Sequence, residues 1–252
     1  MVGSKHDLRF ADKNKFLCFS ALNNDGVWAD GLLVFYEVFK FLEENVSQQI
    51  LPTDFHRSSE FEKGKKWEKF NMRSDFNWHR YFVADLKFFK GDDWEKTYKV
   101  RPSVQKYLSH LNEVNEKNPL LLIAYVYHLY MGLLSGGQIL SKKRKLSNKF
   151  FGEHVESDEI EPGTFLTSYP DKSILQLKNQ MRHNIDEFTK DFDENLRQEL
   201  IEESKKVFEL NNEIIKSVEG VGAQLKRNAL KISGISVLVI LSFYLFIKML
   251  NF

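Results

Sequence analysis

The 252-residue chain has one cysteine, Cys18, five prolines, and almost no net charge, a formal +1 from 36 basic and 35 acidic residues. Each scarcity excludes something. A single thiol leaves no intrachain disulfide and no thiolate cage for zinc or an iron–sulfur cluster, and it suits a reducing compartment. Near-neutrality removes the electrostatic case for a nucleic-acid partner. The opening MVGSKHDLRF lacks the apolar core of a secretory signal. Alternating strand runs, internal repeats, a dinucleotide-binding glycine fingerprint and a flavin motif are also missing.

What remains is helical. Apolar residues recur at spacings of three and four in Leu32 to Leu42, Val104 to Leu111, Ile174 to Phe188 and Leu196 to Val218, the pattern of a helix with one buried face. Breaks are predicted at Leu51-Pro52, Gly91-Asp92-Asp93, Arg101-Pro102, Gly152 to Thr164 and Tyr169-Pro170. With 42% hydrophobic residues, the chain can bury one substantial core and carry an appendage. The predicted fold class is all-α.

Two stretches depart from this background. LLIAYVYHLYMGLLSGGQIL, Leu121 to Leu140, reads as a buried helix but holds Gly132, Gly136 and Gly137. Each glycine costs about 1 kcal/mol of helix stability relative to alanine. Gly132 and Gly136 lie four apart on one face, which suits either tight helix packing or a flat ligand on bare backbone. The second stretch, ISGISVLVILSFYLFI, Ile232 to Ile247, is uncharged and is followed by Lys248. Continued to Phe252 it would make a helix about 31 Å long, enough to cross a hydrocarbon core. Lys226, Arg227 and Lys231 on its N-terminal side favour a cytosolic location for that flank. The expected organisation is a domain over 1–220, a basic linker over 221–231 and a transmembrane tail anchor over 232–252.

The string YHLYMGLLSGGQIL resembles the distal-helix signature of the heme oxygenases. GLLVFYEVFKFLEEN, DFHRSSEFE, RPSVQKYLSHLNEV and LIEESKKVFELNNEII also resemble that family, with greatest similarity to its insect branch. The resemblance implies a helical domain that sandwiches heme between proximal and distal helices. It also implies oxidative cleavage of heme by O2 to biliverdin, carbon monoxide and ferrous iron. Electrons would come from an NADPH-dependent cytochrome reductase on the cytosolic face of the endoplasmic reticulum, with biliverdin reductase as a further partner. The alternative is a heme-binding or heme-buffering membrane protein. Gly64 to Ala84 interrupts the resemblance between FEK and DLKFFKGDDW. It reads as a retained intron or as a lineage-specific surface loop, and Trp78 and His79 within it are left out of the site.

Residue by residue, the resemblance assigns His6 as the axial iron ligand, a role usually filled by imidazole. Gly132 and Gly136 on the distal helix and Tyr36 in a hydrogen-bond network would be catalytic. Tyr127, Gly137, Lys178, Arg182 and Phe208 would bind heme, with Asn211 beside Phe208 in the wall. Lys178 and Arg182, at i and i+4, present two cations on one helix face to the propionates. His56, His110, His128, His154 and His183 fall on positions that are not ligands. Leu133 stands where the mammalian-type motif has an aspartate, and Leu129 where it has an arginine, which predicts slow turnover and weak control over the carbon attacked.

Overall fold

The computed structural model describes residues 24–48, 78–151, 163–168, 173–230 and 233, and among these it is helical with no strand. The helices are α1 (Asp25–Gln48), α2 (Trp78–Lys90), α3 (Trp94–Thr97), α4 (Pro102–Lys117), α5 (Leu122–Phe151), α6 (Ile174–Thr189) and α7 (Glu194–Lys216). Short 3-10 turns at Pro119–Leu121 and Phe165–Thr167 complete the order. The chain divides into a unit over Ala29–Val218 and a second formed by Met1–Trp28 with Glu219–Phe252.

The apolar periodicity is cashed in as burial. In α4 the buried residues are Val104, Tyr107, Leu111 and Val114, and in α7 they are Val207, Leu210 and Ile214, both series of three- and four-residue steps. The helix ends follow local chemistry. Pro102 opens α4, where its missing N–H is no loss. Asp193 caps α7 by accepting a hydrogen bond from the Leu196 amide at 2.8 Å. Gly91 ends α2 at φ 85°, with its amide on the Lys87 carbonyl at 2.9 Å. Arg101, just before α4, ties the ends of two other helices together. Its guanidinium donates to the Asp30 carboxylate of α1 at 2.5 Å and to the carbonyl of Ser217 beyond α7.

The interrupting segment behaves differently from a surface loop over its described part, 78–84. These residues are the first two turns of α2, and Trp78, Phe82 and Leu86 form one buried stripe with 1%, 1% and 0% exposure. Phe82 packs on Phe39 of α1 at 5.0 Å between ring centroids, and Trp78 meets Tyr130 of α5 edge-on at 5.8 Å. The surface-loop reading is therefore corrected for residues 78–84, which form a helix with Trp78 and Phe82 in the core. The four-residue apolar spacing runs unbroken from Trp78 into Leu86, and removing a buried Trp from such a core costs about 3–5 kcal/mol.

The expected linker is also more regular than predicted, because residues 221–230 are helical and begin with the Gln224 amide on the Gly220 carbonyl at 2.9 Å. Among the described residues, Pro119–Ile139 is long and apolar enough to cross a membrane, but 67% of its apolar window is buried inside the protein. It is a core helix. The apolar tail 232–252, apart from Ser233, lies outside the described residues, as does His6.

Candidate functional site

The rear of α5 is as apolar and closed as its sequence suggests. Leu122, Tyr125, Val126, Leu129, Tyr130 and Leu134 are each at most 5% exposed. The opposite face is open. Along the steps of three and four from His128, the residues Met131, Gly132, Ser135, Gly136 and Ile139 are partly or fully exposed. A Cβ added to Gly132 or Gly136 would meet nothing within 4 Å. Among the described residues tight helix packing does not account for these two glycines, since none comes within 4 Å of an added Cβ; they leave a strip of bare backbone.

Gly137 does something else. A Cβ there would lie 3.1 Å from Thr167 Cγ2 and 3.5 Å from Leu133 Cδ1, so this glycine lets the 3-10 turn at Phe165–Thr167 seat against the helix. The Gln138 side chain locks the contact by donating from Nε2 to the Thr167 carbonyl at 2.8 Å. The turn itself is held by Asp85 of α2, fully buried, whose two carboxylate oxygens accept from the Phe165 and Leu166 amides at 2.9 and 3.0 Å. Gly163, at φ 80°, lets the chain enter this turn over the Phe88 and Phe89 rings, which leave no room for a Cβ. Behind the bare strip, then, stands a buttress running from Asp85 through the turn to Gly137 and Gln138. Sequence reasoning missed Asp85 and Thr167, because only the fold brings them to α5.

Around the strip the structure brings together Tyr127, His128, Gly132 and Gly136 of α5 with Phe208 of α7. Phe208 is 56% exposed, unusual for so large an apolar side chain, and its ring meets the His128 ring at 4.9 Å. Tyr127 lies against His128 at 5.4 Å. Burial of the imidazole pushes the His128 pKa down from its ordinary value. Helix α6, which packs on α5, carries Lys178, half-buried, and Arg182, exposed and donating to Asn179 at 3.2 Å. Asn211 accepts from the Tyr107 hydroxyl at 3.1 Å, a tie between α7 and α4.

Tyr36 has a different set of neighbours. Its hydroxyl is 2.9 Å from His79 Nε2, and its ring meets Trp94 edge-on at 5.0 Å. Burial pushes the phenol up to about 12 and the His79 imidazole down, so both are neutral near pH 7, and the imidazole tautomer sets which of them donates. Glu43 of α1 receives the Trp78 and His79 amides at 2.7 and 3.1 Å. It caps α2 from a neighbouring helix. Burial pushes this carboxyl up to about 7.

Comparison with solved structures places the same architecture elsewhere. Heme oxygenase 2 from Chlamydomonas reinhardtii, solved without heme, matches with a TM-score of 0.66 at 24% identity, covering 84% of this chain and 91% of that one. Heme oxygenase-1 from Synechocystis, solved with heme, matches with a TM-score of 0.59 at 22% identity, covering 89% and 88%. Among relatives in sequence, mouse heme oxygenase 2 is 31% identical over 151 residues, which are 59% of this chain and 45% of that protein. Chicken heme oxygenase 1 is 24% identical over 204 residues, 77% of this chain and 58% of that protein. The chain thus spans about half the length of these relatives. Residues 18–217 match the family described as heme oxygenase, and the chain belongs to the heme oxygenase family.

Proposed function

We propose that the chain binds heme on the Gly132–Gly136 face of α5 and is a heme oxygenase, opening the macrocycle to biliverdin with release of carbon monoxide and ferrous iron. The observation that carries this reading is the bare strip on an otherwise buried helix, with the exposed Phe208 ring beside it. A flat, largely apolar macrocycle with two carboxylates fits that face. Glycine backbone admits it closely, Phe208 and Ile139 offer apolar contact, and Lys178 and Arg182 supply cations for its carboxylates. Bound heme supplies the iron at which O2 is activated. The protein's own part is to seat the ring, keep bulky side chains off the glycine face and exclude water from the apolar contact. His6 is the proposed axial ligand.

Electrons are proposed to come from a membrane-bound NADPH-dependent cytochrome reductase, and biliverdin reductase to take up the product. The apolar tail 232–252, with basic Lys226, Arg227 and Lys231 before it, supports anchoring on the cytosolic face of the endoplasmic reticulum. A shared membrane would raise the effective concentration of the reductase. Leu133, in place of a carboxylate on the distal helix, favours a second reading in which heme is held but opened poorly. One assay distinguishes the readings. Hemin added to the detergent-solubilised full chain should give a Soret band, and NADPH with reductase should replace it by bilin absorbance and free carbon monoxide. A Soret band stable under reducing turnover would establish the buffering reading, and no Soret band at all would overturn both.

A further inference from the structure

We propose that His128 hydrogen-bonds a heme carboxylate and fixes the in-plane orientation of the ring, acting as a positioning residue for the choice of carbon attacked. This rests on heme being the occupant of the glycine face.

Three observations lead there. First, His128 is the only ionisable side chain in the open series that runs through Met131, Gly132, Ser135, Gly136 and Ile139. Second, among the described residues neither imidazole nitrogen has a hydrogen-bond partner, and the ring contacts are with Tyr127 and Phe208 alone. The ring is half-buried already. Once a macrocycle covers this face and displaces water, the imidazole N–H is stranded unless the ligand accepts its hydrogen bond. The strong acceptors on a heme periphery are its carboxylates.

Third, the geometry sets His128 at the edge of the ring and not over its centre. The His128 Cα lies about 9 Å along the axis from the midpoint of Gly132 and Gly136, at 1.5 Å per residue. Helical side chains also lean toward the N-terminus, which carries the imidazole further outward. A ring centred on the glycines therefore presents its substituted periphery to His128, beside the Tyr127 hydroxyl, and keeps the iron out of reach. The Phe208 ring, packed against the imidazole at 61° between planes, holds the direction in which its N–H points.

The test compares His128→Leu and His128→Gln with the unaltered full chain in detergent. It uses hemin and hemin dimethyl ester, whose carboxylates are esterified. For hemin, His128→Leu should retain the Soret band but release heme about tenfold faster, the factor corresponding to loss of one hydrogen bond to a charged group. It should also split the heme-methyl proton resonances into two orientational sets. His128→Gln, which keeps a donor, should recover most of the retention. With the dimethyl ester, the unaltered chain and His128→Leu should release at similar rates. Equal hemin release and one orientation in His128→Leu would overturn the proposal, as would an equal effect of the mutation on the ester, which would make the residue merely structural. Failure of the unaltered chain to bind hemin would instead overturn the heme reading beneath it.

Discussion

Replacing the three distal glycines one at a time by alanine tests whether α5 has an open front and a packed back. At Gly132 and Gly136 the new methyl meets nothing within 4 Å, so each substitution should gain the ordinary alanine preference of a helix interior, about 0.8–1 kcal/mol. The double replacement should stabilise the heme-free protein by about 1.5–2 kcal/mol, the two being additive if neither creates a new contact. At Gly137 the same gain is opposed, because the methyl would sit 3.1 Å from Thr167 Cγ2. Thr167 has little freedom to yield. It is 2% exposed, its hydroxyl donates to the Thr164 carbonyl at 3.3 Å, and its carbonyl is held by Gln138. Crowding in a packed site costs about 1–3 kcal/mol, so Gly137→Ala should be neutral or destabilising. Urea unfolding of the heme-free full chain in detergent, followed by far-UV circular dichroism, gives the three values, and hemin titration gives the second readout. Gly132→Ala and Gly136→Ala should weaken hemin binding while raising stability. The reasoning is refuted if they destabilise the apoprotein, or if Gly137→Ala gains as much as they do. Stabilisation with unchanged hemin affinity would remove heme from this face.

The buttress and the helix cap give two further expectations. Asp85→Ala leaves the Phe165 and Leu166 amides without their carboxylate and should cost about 3–6 kcal/mol, at about 1.5–3 kcal/mol for each of the two hydrogen bonds to a charged group; Asp85→Asn, which keeps one acceptor, should lose less. Both changes should also loosen hemin binding through Thr167 and Gly137, and a loss under about 1 kcal/mol in the alanine variant, measured by urea unfolding, would contradict the assigned role. Glu43, held up to about 7 by burial, gives a sign for pH dependence. The folded state binds its proton more tightly than the unfolded chain, so this contribution to stability is full below about pH 4.5 and is lost as pH rises through about 7. Glu43→Gln should flatten that part of the stability profile, and a slope identical to that of the unaltered chain would show that Glu43 does not produce it.

What the sequence could disclose follows from how far each determinant lies along the chain. The helices α4, α6 and α7 were legible because a buried stripe of period 3.6 is written within each segment, and Pro102 and Asp193 mark their starts locally. The stripe Trp78, Phe82 and Leu86 has the same period. It lies in the segment that interrupts the family resemblance, so the resemblance carries no information about it and only the local pattern marks it as a core helix. The three glycines of α5 illustrate the limit more sharply. Their spacing indicates that bare backbone is needed, but not which glycine faces out. That is decided by Thr167, which is placed by Phe165 and Leu166, which are placed in turn by Asp85, 80 and 81 residues earlier in the chain. His128 was legible in principle, four residues before Gly132, but a lone histidine on an apolar helix carries no mark of its face until Phe208 is seen beside it. The same contacts explain how the helix can be so bare. A helix stripped of side chains on one face cannot be located by that face, so its position must come from behind. The Asp85 turn does this by inserting Thr167 at Gly137, the one glycine of the three that is closed.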